Sequence, residues 1–397
     1  MIGVLKNNAI INLSNRWTSI FNFLIIFWIM SIPFKNAVYQ ISTALIILFF
    51  IVYLAIFKNY KPLLENLNKT KTLSVVFLGI ILSMIISNLL NPDFTNAKSW
   101  ELTIMLIVRY TLLFIILAYF YRLDFFSENF ILFLIISSFF LLSLTAIFEI
   151  INDPDTITNV AKGLAGSRGN RASFGIMIGV GASYCMCLYL KNKALSFFLF
   201  FYFSFFLIFS FARTAWVAIF CSAIIFLIIN YKNFSKKDKK IFLSLAILFF
   251  AIAILIFFSV DSFNARLSSL FAGESTYRLE NWKYSFNMFL KQPIFGYGIN
   301  SFGSLPNNIF YPNIALNSHN FILELLLEVG LVGFILCMSF IFIVSKELYN
   351  HSIFLSVAGF MFVSFLFNAG IFSSKDCLSL VALLTFLAFS HRFKDWS

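Results

Sequence analysis

The chain is predicted to be an all-α integral membrane protein, a single polytopic domain over residues 1–397 with about twelve transmembrane helices. Three observations predict it. Hydrophobic residues make up 60% of the chain and charged residues 12%, where a soluble domain carries about 25% charge. Apolar runs of about 20 residues, enough to cross ~30 Å of hydrocarbon, recur along its length. These runs are continuously apolar, without the period-two alternation of barrel strands, so helices and not a barrel are expected.

In chain order the runs lie near 17–34, 38–57, 72–90, 102–121, 129–150, 172–190, 195–212, 214–230, 241–260, 319–345, 352–371 and 377–391. The first is long and has no small-residue cleavage site after it, so it reads as an anchor and not a cleaved signal. The net charge of +12 would suit a nucleic-acid partner, but its placement argues otherwise. With the N-terminus inside, alternate segments collect Lys6, Arg16, Lys58, Lys61, Lys69, Lys71, Arg122, Lys191, Lys193, Lys232, Lys346, Arg392 and Lys394. The cluster Lys236-Lys237-Asp238-Lys239-Lys240 joins them. This is the positive-inside bias, and it puts both termini in the cytoplasm. The five cysteines (Cys185, Cys187, Cys221, Cys337 and Cys377) sit in or beside apolar runs, which argues for helix packing over disulfides or zinc.

There is no internal repeat, Walker loop or dinucleotide fingerprint, which weakens an ATP-driven pump. Two outward segments organise the chain instead. The first is the loop 151–171; the second is the long stretch 261–318. In the second, Leu279, Trp282, Phe286, Phe289 and Leu290 recur at helical spacing, with Arg278, Asn281 and Ser285 on the other side. An amphipathic helix on the outer membrane surface is expected, ended by Pro293. Gly296 and Gly298 then make a turn.

Cations on the outward side are not explained by the inside bias. They are Arg168, Arg171, Arg213, Arg266, Arg278, Lys283 and Lys291. Arginine is always charged, and its fork matches phosphate oxygens, so these positions suggest an anionic ligand at the outer face. Headgroup contact and pairing with nearby acids are the competing reading. Of three histidines, His351 and His391 fall on the inside. Only His319, in Ser318-His319-Asn320, faces outward, where an imidazole can move a proton near neutral pH.

His319-Asn320 followed after nine residues by Gly330-Leu331-Val332-Gly333 resembles the histidine signature of bacterial O-antigen ligases. Asn170-Arg171-Ala172-Ser173-Phe174-Gly175 resembles their Arg-x-Ser-Phe-Gly stretch. Ser210-Phe211-Ala212-Arg213-Thr214-Ala215-Trp216 resembles the family's arginine-bearing junction. Arg278-Leu279-Glu280-Asn281-Trp282 with Pro293-Ile294-Phe295-Gly296-Tyr297-Gly298 resembles the segment with its second arginine. The resemblance runs over about 165–335; the flanking spans match only as hydrophobic spans.

The resemblance implies a GT-C-like membrane glycosyltransferase in the bacterial inner membrane, with a periplasmic active site. It would move a polysaccharide from undecaprenyl pyrophosphate to a sugar hydroxyl of lipid A–core. His319 would take the acceptor proton or orient the acceptor hydroxyl. Arg213 and Arg278 would stabilise the departing pyrophosphate, with Arg171, Arg168 and Asn320 as substrate-binding residues. No cofactor and no metal are implied. The donor linkage stores the bond energy. The outward turn Pro33-Phe34-Lys35-Asn36-Ala37, where other GT-C enzymes carry acids, has none, and Asp153-Pro154-Asp155 reads as a plain loop.

Arg109 is expected inside span four, and Glu324 and Glu328 inside span ten. Such charges need partners at membrane depth. Glu324 and Glu328 share a helix face that turns roughly 140–180° from His319 at ~100° per residue, which makes them poor orienting partners for it. They read as interhelical packing or as partners of Arg109. Three functions remain: the ligase, a polymerase using the same donor, and a lipid-linked oligosaccharide flippase. A flippase should spread charge along a central cavity, whereas this chain gathers it at one face. The Arg-x-Ser-Phe-Gly stretch favours the ligase over the polymerase.

Overall fold

A computed structural model describes residues 2–34, 37–158, 162–189, 191–240, 244, 278–305, 318–350, 354–366 and 375–394. The described residues build α1 (Ile2–Ser31), α2 (Ala37–Phe57), α3 (Lys61–Lys69), α4 (Lys71–Leu90), α5 (Ala97–Leu106), α6 (Leu113–Arg122), α7 (Glu128–Asn152) and a short α8 (Asp155–Thr158). They continue with α9 (Arg171–Met186), α10 (Lys193–Phe209), α11 (Arg213–Asn230), α12 (Arg278–Lys291), α13 (Phe321–Asn350), α14 (Leu355–Leu366) and α15 (Lys375–Lys394). A π-helical turn, Ile107–Leu112, joins α5 to α6 into a single span.

Among the described residues eight helices are long and apolar enough to cross a membrane, and Lys193–Phe209 and Leu355–Leu366 are shorter apolar helices. The chain is therefore a multi-pass membrane protein. The expected span at 241–260 and most of the stretch 261–318 lie outside the described residues. Large apolar side chains cover the outer surface, among them Phe133, Phe148, Ile228 and Phe342, each about two-thirds exposed or more. In a soluble protein such a surface would aggregate; against lipid tails it is solvated.

Local sequence sets the helix starts. Asn96 and Ser99 form a reciprocal capping box at α5, and Ser127, Asn170 and Asn192 accept first-turn N–H groups of α7, α9 and α10. Two expected spans end early. The run at 172–190 is helical only to Met186, after which Cys187, Leu188 and Tyr189 bond three residues back. The run at 195–212 stops at Phe209, because Phe211 adopts a left-handed backbone with φ 51° that a helix cannot contain.

The two ends of the bundle differ. At one, Arg122 pairs with Glu65, Lys193 with Asp238, Lys394 with Asp124, and Arg392 with Glu347. His391 lies half-buried 3.6 Å from the same Glu347. Beneath this end Phe21, Phe49, Tyr53, Phe120 and Phe125 form a continuous set of ring contacts, each pair adding about 0.5–1.5 kcal/mol beyond area burial. This is where part of the high phenylalanine content goes. The opposite end gathers Pro33, Asn91, Glu149, Arg168, Ser210 and Gly296, and is described next.

Candidate functional site

Arg171 and the turn before Arg213 meet at Gly163. Asn170 caps α9 through Ala172 and Ser173 N–H, so Arg171 occupies the first helical position. Ser210 donates to Leu207 O at 2.7 Å and accepts from Ala212 N–H at 3.3 Å. Trp216 Nε1 donates to the same Leu207 carbonyl at 2.9 Å. This holds Phe211 in its left-handed conformation and places exposed Arg213 first in α11. Gly163 has φ 62°; a Cβ there would stand 2.9 Å from Ser210 O, 3.2 Å from Arg171 Cδ and 3.3 Å from the Phe211 ring. Leu164 N–H donates to Phe209 O at 2.9 Å, tying the loop to that turn.

The same loop carries Arg168, which donates to Pro33 O at 3.0 Å. Glu149 Oε2, at the end of α7, accepts Ala165 N–H at 3.0 Å and Gly166 N–H at 2.6 Å. Sequence reading missed this carboxylate, whose signal was an acid in the last turn of an apolar helix. Asp153 and Asp155 both face Lys162, at 2.8 and 3.8 Å; their carboxylates in turn push the lysine pKa up. The acidic pair is thus a cation-bridged loop, as expected of a plain turn.

The histidine segment departs from expectation. The apolar run predicts one helix over 319–345 with His319 on its wheel. His319 instead precedes the helix with φ 51°, so the angular argument about Glu324 and Glu328 does not apply. The helix is also broken: Gly330 has φ 65° and ψ −167°. In an unbroken helix Phe321 and Phe340 would lie about 28 Å apart at ~1.5 Å per residue. Here both line one small apolar cavity with Phe77, Tyr110 and Cys337. The arm Phe321–Val329 therefore folds back beside Leu331–Asn350, carrying Ser318–Asn320 into the bundle. Leu331–Asn350 alone, at ~1.5 Å per residue, still covers about 30 Å.

At the arm's inner end, Ser318 is buried and His319 half-buried. Asn320 Oδ1 accepts Ile322 and Leu323 N–H at 3.0 and 3.2 Å, so this side chain caps the arm. Ser318 Oγ donates to Asn320 O at 2.9 Å.

The break leaves backbone groups that lipid could not satisfy, and the segment Pro293–Asn300 satisfies them. Leu331 and Val332 N–H donate to Pro293 O and Ile294 O at 2.8 and 3.2 Å; Tyr297 and Gly298 N–H donate to Leu327 O and Glu328 O at 2.9 Å each. Gly296 and Gly330, both with φ 65°, allow this approach: a Cβ at Gly296 would lie 2.5 Å from Leu327 O. From α4, Ser87 Oγ donates to Glu328 O at 2.6 Å, Asn91 Nδ2 to Gly296 O at 2.9 Å, and Asn88 Oδ1 accepts Ile299 N–H at 2.9 Å. Glu328 Oε1 accepts Asn300 N–H at 2.8 Å. The polar set Ser87, Asn88 and Asn91 in an apolar span was the signal sequence reading passed over.

Pro293–Asn300 continues from α12, whose first residue is Arg278; the side chain of Arg278 lies outside the described residues. The amphipathic reading of α12 is refined. Asn281, Ser285, Met288 and Phe289 are buried, while Leu279, Phe286 and Leu290 are exposed. The buried face is thus mixed, Asn281 and Ser285 lying inward beside Met288 and Phe289, while part of the apolar stripe looks out. Burial and the neighbouring Tyr297 phenol push the Tyr284 pKa up to about 12.

Arg109 does not pair with Glu324 or Glu328. Its Nη1 donates to Thr43 Oγ1 at 2.8 Å, and its guanidinium lies 4.3 Å over the Tyr39 ring. Stacking and one hydroxyl take the place of a carboxylate.

Arg168, Arg171 and Arg213 thus share one end of the bundle. The segment tied to α12 braces the arm that bears His319. No curated protein matches the chain. Residues 197–338, which contain Arg213, Arg278 and His319, match the family model described as O-antigen ligase.

Proposed function

We propose that this protein is an O-antigen ligase, a glycosyltransferase of the bacterial inner membrane. It transfers a glycan from undecaprenyl pyrophosphate to a sugar hydroxyl of lipid A–core at the periplasmic face. The observation that carries the reading is the family match over 197–338, which encloses the histidine and both principal arginines. His319 removes or orients the acceptor proton. Arg213 and Arg278 neutralise the pyrophosphate as charge develops on it, and Arg171 and Arg168 help hold it. Asn320, beyond its capping bond, stands beside His319 as a substrate contact. The paired, lysine-rich end then faces the cytoplasm, in keeping with the positive-inside bias.

A deletion strain tests the acceptor. Loss of a ligase leaves lipid A–core bare while long lipid-linked polymer accumulates, and this is the outcome expected. Core capped by a single repeat unit would make the protein a polymerase acting on the same donor.

A further inference from the structure

We propose that Glu328 is a positioning residue: its carboxylate, clasping the Asn300 N–H beside the Gly330 break, fixes the angle of the folded-back arm that carries His319. The proposal rests on the reading of His319 as the acid–base group.

The arm leaves Gly330 with a backbone no continuous helix contains, so nothing within its own helix sets its direction. What sets it is the Pro293–Asn300 segment. Four backbone hydrogen bonds join that segment to Leu327, Glu328, Leu331 and Val332. Those bonds lie at the break itself and would tolerate some rotation of the arm about it. The Glu328 side chain adds the contact that rotation would disturb. Its backbone carbonyl takes Gly298 N–H and the Ser87 hydroxyl, while its carboxylate reaches Asn300, two residues further along the brace. Asn88 holds Ile299, the residue between, from α4. Glu328 is only 7% exposed, so its anchor is insulated from competing water and a missing partner is costly. The brace runs back into α12, so the same contact couples the start of α12, where Arg278 stands, to the histidine arm.

The alternative for a buried carboxylate is that its charge takes part in chemistry. Glutamine separates the two, because its amide oxygen can accept the Asn300 N–H while carrying no charge. In Glu328→Gln, glycan transfer is expected to stay within about threefold of wild type. In Glu328→Ala, kcat should fall about tenfold to hundredfold, the cost of leaving the Asn300 N–H without its partner, with the donor KM nearly unchanged. Hydrogen–deuterium exchange of the full chain in lipid nanodiscs supplies the structural readout. Amides of 321–329 and 294–300 should exchange at least tenfold faster in Glu328→Ala and at the wild-type rate in Glu328→Gln. Asn88→Ala, which removes the neighbouring anchor, should reproduce the exchange pattern and serves if Glu328→Ala does not insert. Equal loss of activity in Gln and Ala variants with unchanged exchange overturns the proposal. Exchange that quickens while kcat holds overturns it too. If the wild-type protein transfers no glycan, the functional reading fails while the exchange data still decide the brace.

Discussion

The two ends of the bundle use the same residue types for different ends. At the paired end, cations meet carboxylates: Arg392 makes a two-point contact with buried Glu347, and Lys193 reaches Asp238 at 2.8 Å. These join helices far apart in sequence. At the opposite end, Arg168 meets a carbonyl, and Arg171 and Arg213 stand at helix starts. A cation is repelled by the positive end of a helix dipole, so an arginine at the first helical position is a poor choice for stability. Under the proposed function, the pyrophosphate of the donor would offset that repulsion. One ion pair at this end, Lys162 with its two aspartates, lies on an exposed loop. The lesson is that carboxylates tie the cations of one end to other helices, while at the other the described partners include a backbone carbonyl and a local loop pair.

Substitutions sharpen or break this contrast. The largest effect is expected from His319→Ala, which should lower glycan transfer by ~10²–10⁴, the worth of a positioned acid or base, with normal membrane insertion. Full activity in that variant, assayed in purified vesicles, would remove His319 from the chemistry. Next comes Arg278. Arg278→Lys should recover only part of what Arg278→Ala loses, because an ammonium cannot make the forked contact; a lysine variant as active as wild type would mean that charge alone suffices. At the paired end the balance should invert. Arg392→Met removes the two-point partner of the buried Glu347 carboxylate, leaving His391 at 3.6 Å, and should destabilise the protein by about 1–3 kcal/mol, read as a lower melting temperature in detergent, while kcat stays within twofold. A large fall in kcat there would erase the distinction between the ends.

The smallest effect concerns Asp238, whose carboxyl is held well below the ordinary range by hydrogen bonds from Lys193 and Ser235. A depressed carboxylate stabilises the fold fully above its unfolded value of about 3.9 and loses that contribution as pH falls through the folded one. Between pH 5 and 8 melting should therefore be flat with respect to this group. Asp238→Asn should lower the melting point slightly at neutral pH and remove part of the acid sensitivity.

Much of this was legible in the chain. The first five spans, and the helix starts capped by Asn170 and Asn192, follow from local pattern, since an apolar run and its cap lie within one stretch of sequence. The family region was legible because His319, Arg278 and Arg213 sit in recognisable short motifs. The fold-back at Gly330 was not. A glycine inside an apolar run reads as tolerated, and the segment that pairs with the opened backbone begins at Pro293, far outside any helical window. The mixed buried face of α12 was hidden for a related reason: periodicity names two faces but does not say which one meets protein and which meets lipid.

The π turn at Ile107–Leu112 has a consequence for how the two ends were fitted together. A π turn amounts to one residue inserted into an α-helix, and one residue is about 100° of helical phase. Above it, Thr103 accepts from Asn88 at 3.2 Å; below it, Tyr119 donates to Asn59 O at 2.9 Å and Arg122 pairs with Glu65. Deleting any one residue between 107 and 112 would restore a regular helix, yet it would turn one half against the other and cost one set of these bonds. The span is thus a coupling between two gears cut to different phases. Arg109, stacked on Tyr39 inside that turn, sits at the splice.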